Sequence, residues 1–426
     1  MSNTVPKGWC RLNLPDVCYF QEGPGLRNWQ YTTSGYPFIN IRCIKDGYLD
    51  LSNVQYISSD EANQKYKHFF LNEGDYVLSS SGTLGRMAKI RKKDLPLMLN
   101  TSVIRFRSSD DKTLYHDYLP HYLQSQVFVN QIAEESQGSA QVNFGPTHLK
   151  LVECTLPPVP EQQKIAAILS SVDDVIEKTR AQIDKLKDLK TGMMQELLTR
   201  GVGSGGAPHT EFEDTPVGTL PSEWNVELLD KVAARGSGHT PSKSKSEYWN
   251  AGVDWVSLSD TNKLDRLYIN TTAKQISELG IQNSSAVIHP PGTVVLSRDA
   301  GIGKSGIITK KMAVSQHFIA WQCSDRLHNH FLYYVLQFWK PKFEAIAMGS
   351  TIKTIGLPFF KKLHVPVPPI SEQKTIAGTL QSIDLKIFSI ERKLNATMAV
   401  KKALMQDLLT GKVRVNVEKE ALSHVE

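Results

Sequence analysis

Two stretches of the chain carry apolar residues at alternating spacings of four and three, the seam of a long helix rather than the two-residue alternation of a strand. From Glu161 the first runs through Ile165, Leu169, Val172, Ile176, Thr179, Ile183, Leu186, Lys190, Met193 and Leu197. The second keeps the same spacings through Ile376, Leu380, Ile383, Ile387, Ile390, Leu394, Thr397, Lys401, Leu404 and Leu408. Prolines precede each run, and Gly201 and Gly411 follow, as punctuation for helix ends. About 39 residues at 1.5 Å each predict a rod of roughly 58 Å, close to about 17 base pairs of duplex. Two seams in one chain predict an antiparallel pair with a pseudo-two-fold axis and a globular domain at either end. A lysine sits on each seam, Lys190 and Lys401, either snorkelling into solvent or selecting register. The apolar face widens near the C-terminal ends, at Met193, Met194, Leu197 and Leu198 and at Leu404, Met405, Leu408 and Leu409. Two helices do not need that width, so these ends are expected to pack on a globular domain or a partner subunit. Ile165, Leu169, Ile176, Met193, Met194, Leu197, Ile376, Leu380, Ile387, Leu404, Met405 and Leu408 are therefore the candidate helix-pairing and partner-docking residues.

The recurrence of the seam belongs to a duplication of the whole chain. At an offset of 211, Gly138-Ser139 falls on Gly349-Ser350, Pro157-Pro158 on Pro368-Pro369, Glu161-Gln162 on Glu372-Gln373, Asp173 on Asp384 and Leu197-Leu198-Thr199 on Leu408-Leu409-Thr410. Upstream the offset drifts as loops of unequal length require: Pro6-Lys-Gly-Trp9 matches Pro221-Ser-Glu-Trp224, and Gly74-Asp-Tyr-Val-Leu-Ser79 matches Gly292-Thr-Val-Val-Leu-Ser297. The plan is a domain over 1–156, a helix over 157–200, a linker over 201–216, a second domain over 217–367, a second helix over 368–412 and a tail over 413–426. The Gly- and Pro-rich stretch 201–218 suits a flexible connector. Within the domains, short β-branched runs such as YPFINIRCI, DYVLSS and TVVLS predict strands in a β-rich α+β fold. HDYLPHYLQSQVFVNQIAEES and NHFLYYVLQFWKPKFEAIAM predict helices.

Composition adds limits. At 426 residues, 40% hydrophobic and 22% charged, the chain has the makeup of a globular protein of two or three domains. No apolar run approaches the ~18 residues that span a membrane, and no signal-like start is present, which places the chain in the cytoplasm as an expectation. Five cysteines, Cys10, Cys18, Cys43, Cys154 and Cys323, form no CxxC pair and read as buried free thiols. A net charge of +6 permits nucleic-acid binding without arguing for it.

Catalytic patterns fail on inspection. Gly303-Lys304-Ser305 resembles the end of a phosphate-binding loop, but Arg298 stands where that loop needs a glycine. His328 and His330 lack further metal ligands nearby, and no carboxylate pair, GxSxG, HExxH or adenine-methylating tetrapeptide is present. Both halves do share a strand, a Ser/Gly-rich turn and a basic strand. Ser80, Ser81, Thr83, Arg86, Lys89, Arg91, Lys92 and Lys93 in the first, and Arg298, Lys304, Lys310 and Lys311 in the second, are candidate DNA-binding residues. The bland alternative is a solvated hairpin tip, and recurrence favours function.

The segments LPPVPEQQKIA, VPPISEQKTIAGTL, MQELLTRG and MQDLLTGK, behind two GDYVLS-like blocks, closely resemble the specificity subunits of type I restriction-modification enzymes over nearly the whole chain. The resemblance implies two target recognition domains, each reading one half of a bipartite DNA site, and a conserved antiparallel helix pair. It implies two modification subunits carrying S-adenosylmethionine and restriction subunits using ATP and Mg, with no cofactor or metal on this chain. A self-sufficient nuclease or methyltransferase, a coiled-coil scaffold without nucleic acid, and another DNA-binding adaptor outside restriction-modification are the competing readings.

Overall fold

The computed structural model describes residues 5–45, 47–81, 86–135, 143–203, 206–349 and 353–417. The chain forms two compact units, one of residues 1–178 with 394–426, the other of residues 179–393. Two long helices, Val159–Thr199 and Ile370–Leu408, each contribute a stretch to both units.

In the first unit the strands are β1 (Cys10–Asn13), β2 (Cys18–Glu22), β3 (Tyr31–Thr32), β4 (Tyr36–Ile39), β5 (Gln55–Ile57), β6 (Tyr76–Ser79), β7 (Met87–Lys89), β8 (Met98–Leu99), β9 (Val103–Ser108) and β10 (Glu153–Leu156). One antiparallel sheet has the order β2-β9-β6-β7, a mixed sheet with β4 and β8 parallel has the order β3-β5-β4-β8, and β1 pairs with β10 beside the start of the long helix. All of β6 is buried. Tyr76 and Leu78 enter one apolar layer while Val77 enters the layer on the other face, which is why the strand reads as a continuous apolar run. The first of those layers holds Ile165 and Leu169 of the first long helix, Leu408 at the end of the second, and Leu409 just after it.

The second unit repeats these parts. Its strands are β11 (Phe212–Thr215), β12 (Gly218–Pro221), β13 (Asn225–Leu228), β14 (Ala233–Ser237), β15 (Trp249–Val256), β16 (Tyr268–Ile269), β17 (Lys274–Ile276), β18 (Ile288–His289), β19 (Val294–Ser297), β20 (Ser305–Ile308), β21 (Met312–Val314), β22 (Phe318–Cys323) and β23 (His364–Val367). The main sheet runs β14-β22-β19-β20-β16, the other β17-β15-β21-β18, and β13 pairs with β23 as β1 does with β10. Val294 and Leu296 face the layer that contains Ile376, Leu380, Met194 and Leu198, while Val295 faces the opposite one. Burying a leucine or isoleucine fully in such a layer contributes about 2 kcal/mol, so the widened helix ends close the cores of these units.

Within each unit the two long helices run antiparallel. In the second, Lys190 meets Asp384 at 2.7 Å and Lys187 meets Glu391 at 3.8 Å. In the first, Lys401 meets Asp173 at 2.6 Å. The seam lysines thus pair with aspartates at matching positions of the two halves, rather than only snorkelling into water.

Three expectations need correction. Each predicted domain helix is broken in two: Leu119–Leu123 and Gln126–Glu135, with Ser125 Oγ accepting from Phe128 N, and Asn329–Phe338 and Lys340–Ile346, with Pro341 in the first turn of the second piece. The YPFINIRCI run is strand only over Tyr36–Ile39, and a turn follows. The described part of the 201–218 connector is ordered by hydrogen bonds, because β11 and β12 form a hairpin and Val202 N donates to the buried carboxylate of Glu372 at 2.7 Å. Cys18, Cys43 and Cys154 are buried free thiols, Cys323 is half-buried, and Cys10 is exposed.

Candidate nucleic-acid interface

Four segments converge at one end of the main sheet in each unit. In the first unit they are the loop leaving β2, the turn between β6 and β7, the loop leading into β9, and the chain at Phe144. Main-chain bonds tie them: Ser79 N donates to Arg86 O and Ser80 N to Ser102 O, both at 3.0 Å, and Phe144 N donates to Ser80 O at 3.0 Å. In the second unit Ser297 N donates to Lys304 O at 2.8 Å, Arg298 N to His317 O at 2.9 Å and Ile355 N to Arg298 O at 3.0 Å. The two sets match bond for bond. Ser80 and Arg298 are therefore equivalent, as are Ser102 and His317, and Arg86 and Lys304.

Glycine is required where the loop leaving β2 or β14 crosses the sheet. A Cβ on Gly23 would overlap the carbonyl of Leu99, and one on Gly238 the carbonyls of Val314 and Ser315. Backbone cannot yield as a flexible side chain can, so only glycine fits. The recurring glycines after matching strands were a sequence signal for this rim that the basic-turn reading passed over.

The structure splits the predicted basic residues. Ser80, Ser81 and Arg86 lie at the rim in the first unit, Arg298 and Lys304 in the second, and Thr83 lies outside the described residues. Ser80 is buried, Ser81 half-buried and Arg86 exposed. Lys304 is half-buried, its Nζ 3.4 Å from Thr261 O. Lys89, Arg91, Lys92 and Lys93 sit toward the other end of the hairpin, since β7 carries the chain away from the turn at about 3.3 Å per residue. Lys89 pairs with Asp117 at 2.7 Å, and the exposed Arg91, Lys92 and Lys93 surround a short 3-10 turn. Lys310 and Lys311 follow β20 at its far end, Lys310 paired with Asp254 and Lys311 exposed. The single basic patch expected in each half is two separate groups.

At the rim the side chains differ between units. Asn100 Oδ1 accepts from Ser102 N and from Ser102 Oγ, both at 2.8 Å. In the second unit Asp299, 9% exposed, lies 2.7 Å from His317 Nδ1, accepts from Thr354 Oγ1, and is 3.7 Å from Arg298 Nε. Gly303-Lys304-Ser305 leads into strand β20, not into the helix that a phosphate-binding loop needs. His328 and His330 stack at 5.3 Å, and burial pushes both imidazoles below their usual range.

A second constellation stands where the long helices begin. Gln162 and Gln373 are fully buried. Gln162 donates to Thr113 O and Pro157 O and accepts from Tyr115 N, while Gln373 donates to Arg326 O and Pro368 O and accepts from His328 N. The preceding glutamates hold whatever follows the antiparallel helix. Glu161 takes two bonds of 2.7 Å from Arg414, whose guanidinium lies over the Trp9 ring and also donates to Lys7 O. Glu372 accepts from Val202 N and from Trp224 Nε1 at 3.1 Å, with His209 Nε2 at 3.0 Å. Gly201 and Gly411, at φ of 66° and 70°, end the helices here with positive backbone angles. The duplicated Glu-Gln pair was legible as a motif, but its work as a clamp was not.

The seam pair also has a third member. Tyr334 Oη donates to Asp384 at 2.8 Å in the second unit, whereas His121 Nδ1 stands 3.9 Å from Asp173 in the first. Burial, assisted by the charge of Lys401, pushes His121 down to about 4.

A family model described as the type I restriction modification DNA specificity domain matches residues 6–188 and again residues 221–398. The chain belongs to this family. It carries the domain twice, in agreement with the internal repeat. It is 28% identical over 421 residues to the putative type I restriction enzyme MjaX specificity subunit of Methanocaldococcus jannaschii, covering 96% of this chain and 95% of that one. It is 25% identical to the MjaVIII specificity subunit of the same organism, covering 96% and 94%. The solved S subunit of a type I restriction-modification system from M. genitalium shares the fold, with a TM-score of 0.56, 15% identity and coverage of 96% and 98%. Among the described residues, no helix is long and apolar enough to cross a membrane.

Proposed function

We propose that this chain is the DNA-recognition subunit of a type I restriction-modification enzyme, with each domain reading one half of a bipartite site through its four-segment rim. The observation that carries the reading is the duplicated rim, in which matched main-chain bonds present different side chains: one frame, two readers. The paired helices fix the spacer between the half-sites and offer two equivalent surfaces to two modification subunits, through which restriction subunits join. Methyl transfer and strand cleavage belong to those partners, as do S-adenosylmethionine, ATP and Mg; this chain supplies selection without chemistry. It acts in the cytoplasm, where the DNA is.

Replacing residues 1–156 with the first domain of another family member, in complex with modification subunits, is expected to change one half of the methylated site and leave the other. Methylome sequencing reads the result. An unchanged site, or a change in both halves, rejects the two-reader arrangement.

A further inference from the structure

We propose that Arg298, Asp299 and His317 form the base-selecting cluster of the second unit, at the three rim positions that Ser80, Ser81 and Ser102 occupy in the first. This rests on the reading of the chain as a DNA-recognition subunit and names the side chains that would do the reading.

The equivalence comes from main-chain bonds alone: Arg298 N to His317 O repeats Ser80 N to Ser102 O, and Ile355 N to Arg298 O repeats Phe144 N to Ser80 O. Neither Arg298 nor His317 is needed to build the rim, because serines occupy the same frame. In the second unit, however, side chains from three segments meet on one buried carboxylate. His317 Nδ1 lies 2.7 Å from Asp299 Oδ2, Thr354 Oγ1 donates to Oδ1, and Arg298 Nε is 3.7 Å away. A carboxylate largely shielded from water is costly to desolvate, and this one is matched by the Thr354 hydroxyl, by the imidazole at 2.7 Å and by the guanidinium at 3.7 Å.

With Nδ1 turned to Asp299, Nε2 is the ring nitrogen left for a ligand, and the His317 side chain is 33% exposed. A guanidinium and an imidazole gathered on one carboxylate suit the acceptor-rich O6 and N7 edge of guanine in the major groove, while seryl hydroxyls pair with either donors or acceptors. Arg298 and His317 thus touch the base, and Asp299 is a positioning residue.

The test is selection from a randomised bipartite duplex library by the full chain in complex with modification subunits, read by sequencing. Wild type is expected to recover two half-sites; recovery of no motif by wild type refutes the underlying reading instead. His317→Ala is expected to relax preference at one base pair of a single half-site by about tenfold, with the other half-site retained as an internal measure of folding. Asp299→Asn is expected to relax the same base pair by less. An unchanged motif, or uniformly weaker recovery of every sequence, overturns the proposal. If His317→Ala recovers neither half-site, His317→Gln decides: altered preference at one base pair supports the cluster, and wild-type preference overturns it.

Discussion

The two units share their main-chain plan and differ in what they hang on it. Both place a glycine against a neighbouring strand, tie a turn to two flanking segments with the same hydrogen bonds, and bury a glutamine in the first turn of the long helix with the same three contacts. They diverge at the rim, where serines in one face an Arg-Asp-His cluster in the other. They diverge again around the clamp glutamate, held by Arg414 in one and by three neutral or ring donors in the other. Duplication has preserved the bonds made by backbone, by buried amides and by the Lys-Asp pairs of the seam, and has let go of those made by side chains at the rim and around the clamp glutamate.

The sharpest way to break that comparison is to remove the shared amide. Gln162→Ala and Gln373→Ala each leave a buried N–H and carbonyls unpaired, and each is expected to cost about 3 kcal/mol in urea denaturation. Costs differing by more than about 1 kcal/mol would mean that the two glutamines do not hold equivalent places. Acid should then separate the two matching seam positions. The folded-state value of His121, about 4, lies below the 6.5 of an unperturbed imidazole, so the unfolded chain binds the extra proton. The stability His121 contributes is complete above pH ~6.5 and is lost as pH falls toward 4, amounting to about 2 kcal/mol at pH 5. His121→Gln should flatten that dependence in the first unit. The second unit has Tyr334 at the matching place, pushed further above its usual range by burial, and should lack this term. Denaturation curves at pH 7 and pH 5 that shift equally for wild type and His121→Gln would contradict it. The smallest difference is expected between the clamps: Glu372→Ala should cost about 1 kcal/mol more than Glu161→Ala, because Arg414, 43% exposed, regains water while Trp224 Nε1 does not. Equal melting shifts would show that exposure of the partner does not matter here.

The long helices were the most legible part of the chain. Seam residues repeat over many turns, and nearly every one, from Ile165 to Leu408, is buried or half-buried as the spacing requires. Fold class and duplication were legible for the same reason, since motif matches such as Glu161-Gln162 with Glu372-Gln373 sum over length. The rim was not. Its equivalences run through carbonyl and amide groups, so Ser102 and His317 share a place that no residue comparison reveals. The basic run Arg86 to Lys93 misled because neighbours in sequence end at opposite ends of a short hairpin. The connector misled because its glycines and prolines signal turns, whereas its order comes from Glu372, more than 150 residues away.

The rim's hydrogen bonds run from amide to carbonyl, and that has an evolutionary consequence. A substitution at position 80, 102, 298 or 317 swaps a side chain without deleting the main-chain bonds that tie the loops together. New target preferences can therefore arise there by single replacements that keep the main-chain frame of the loops, which is what a defence system facing changing invaders would require of its reader.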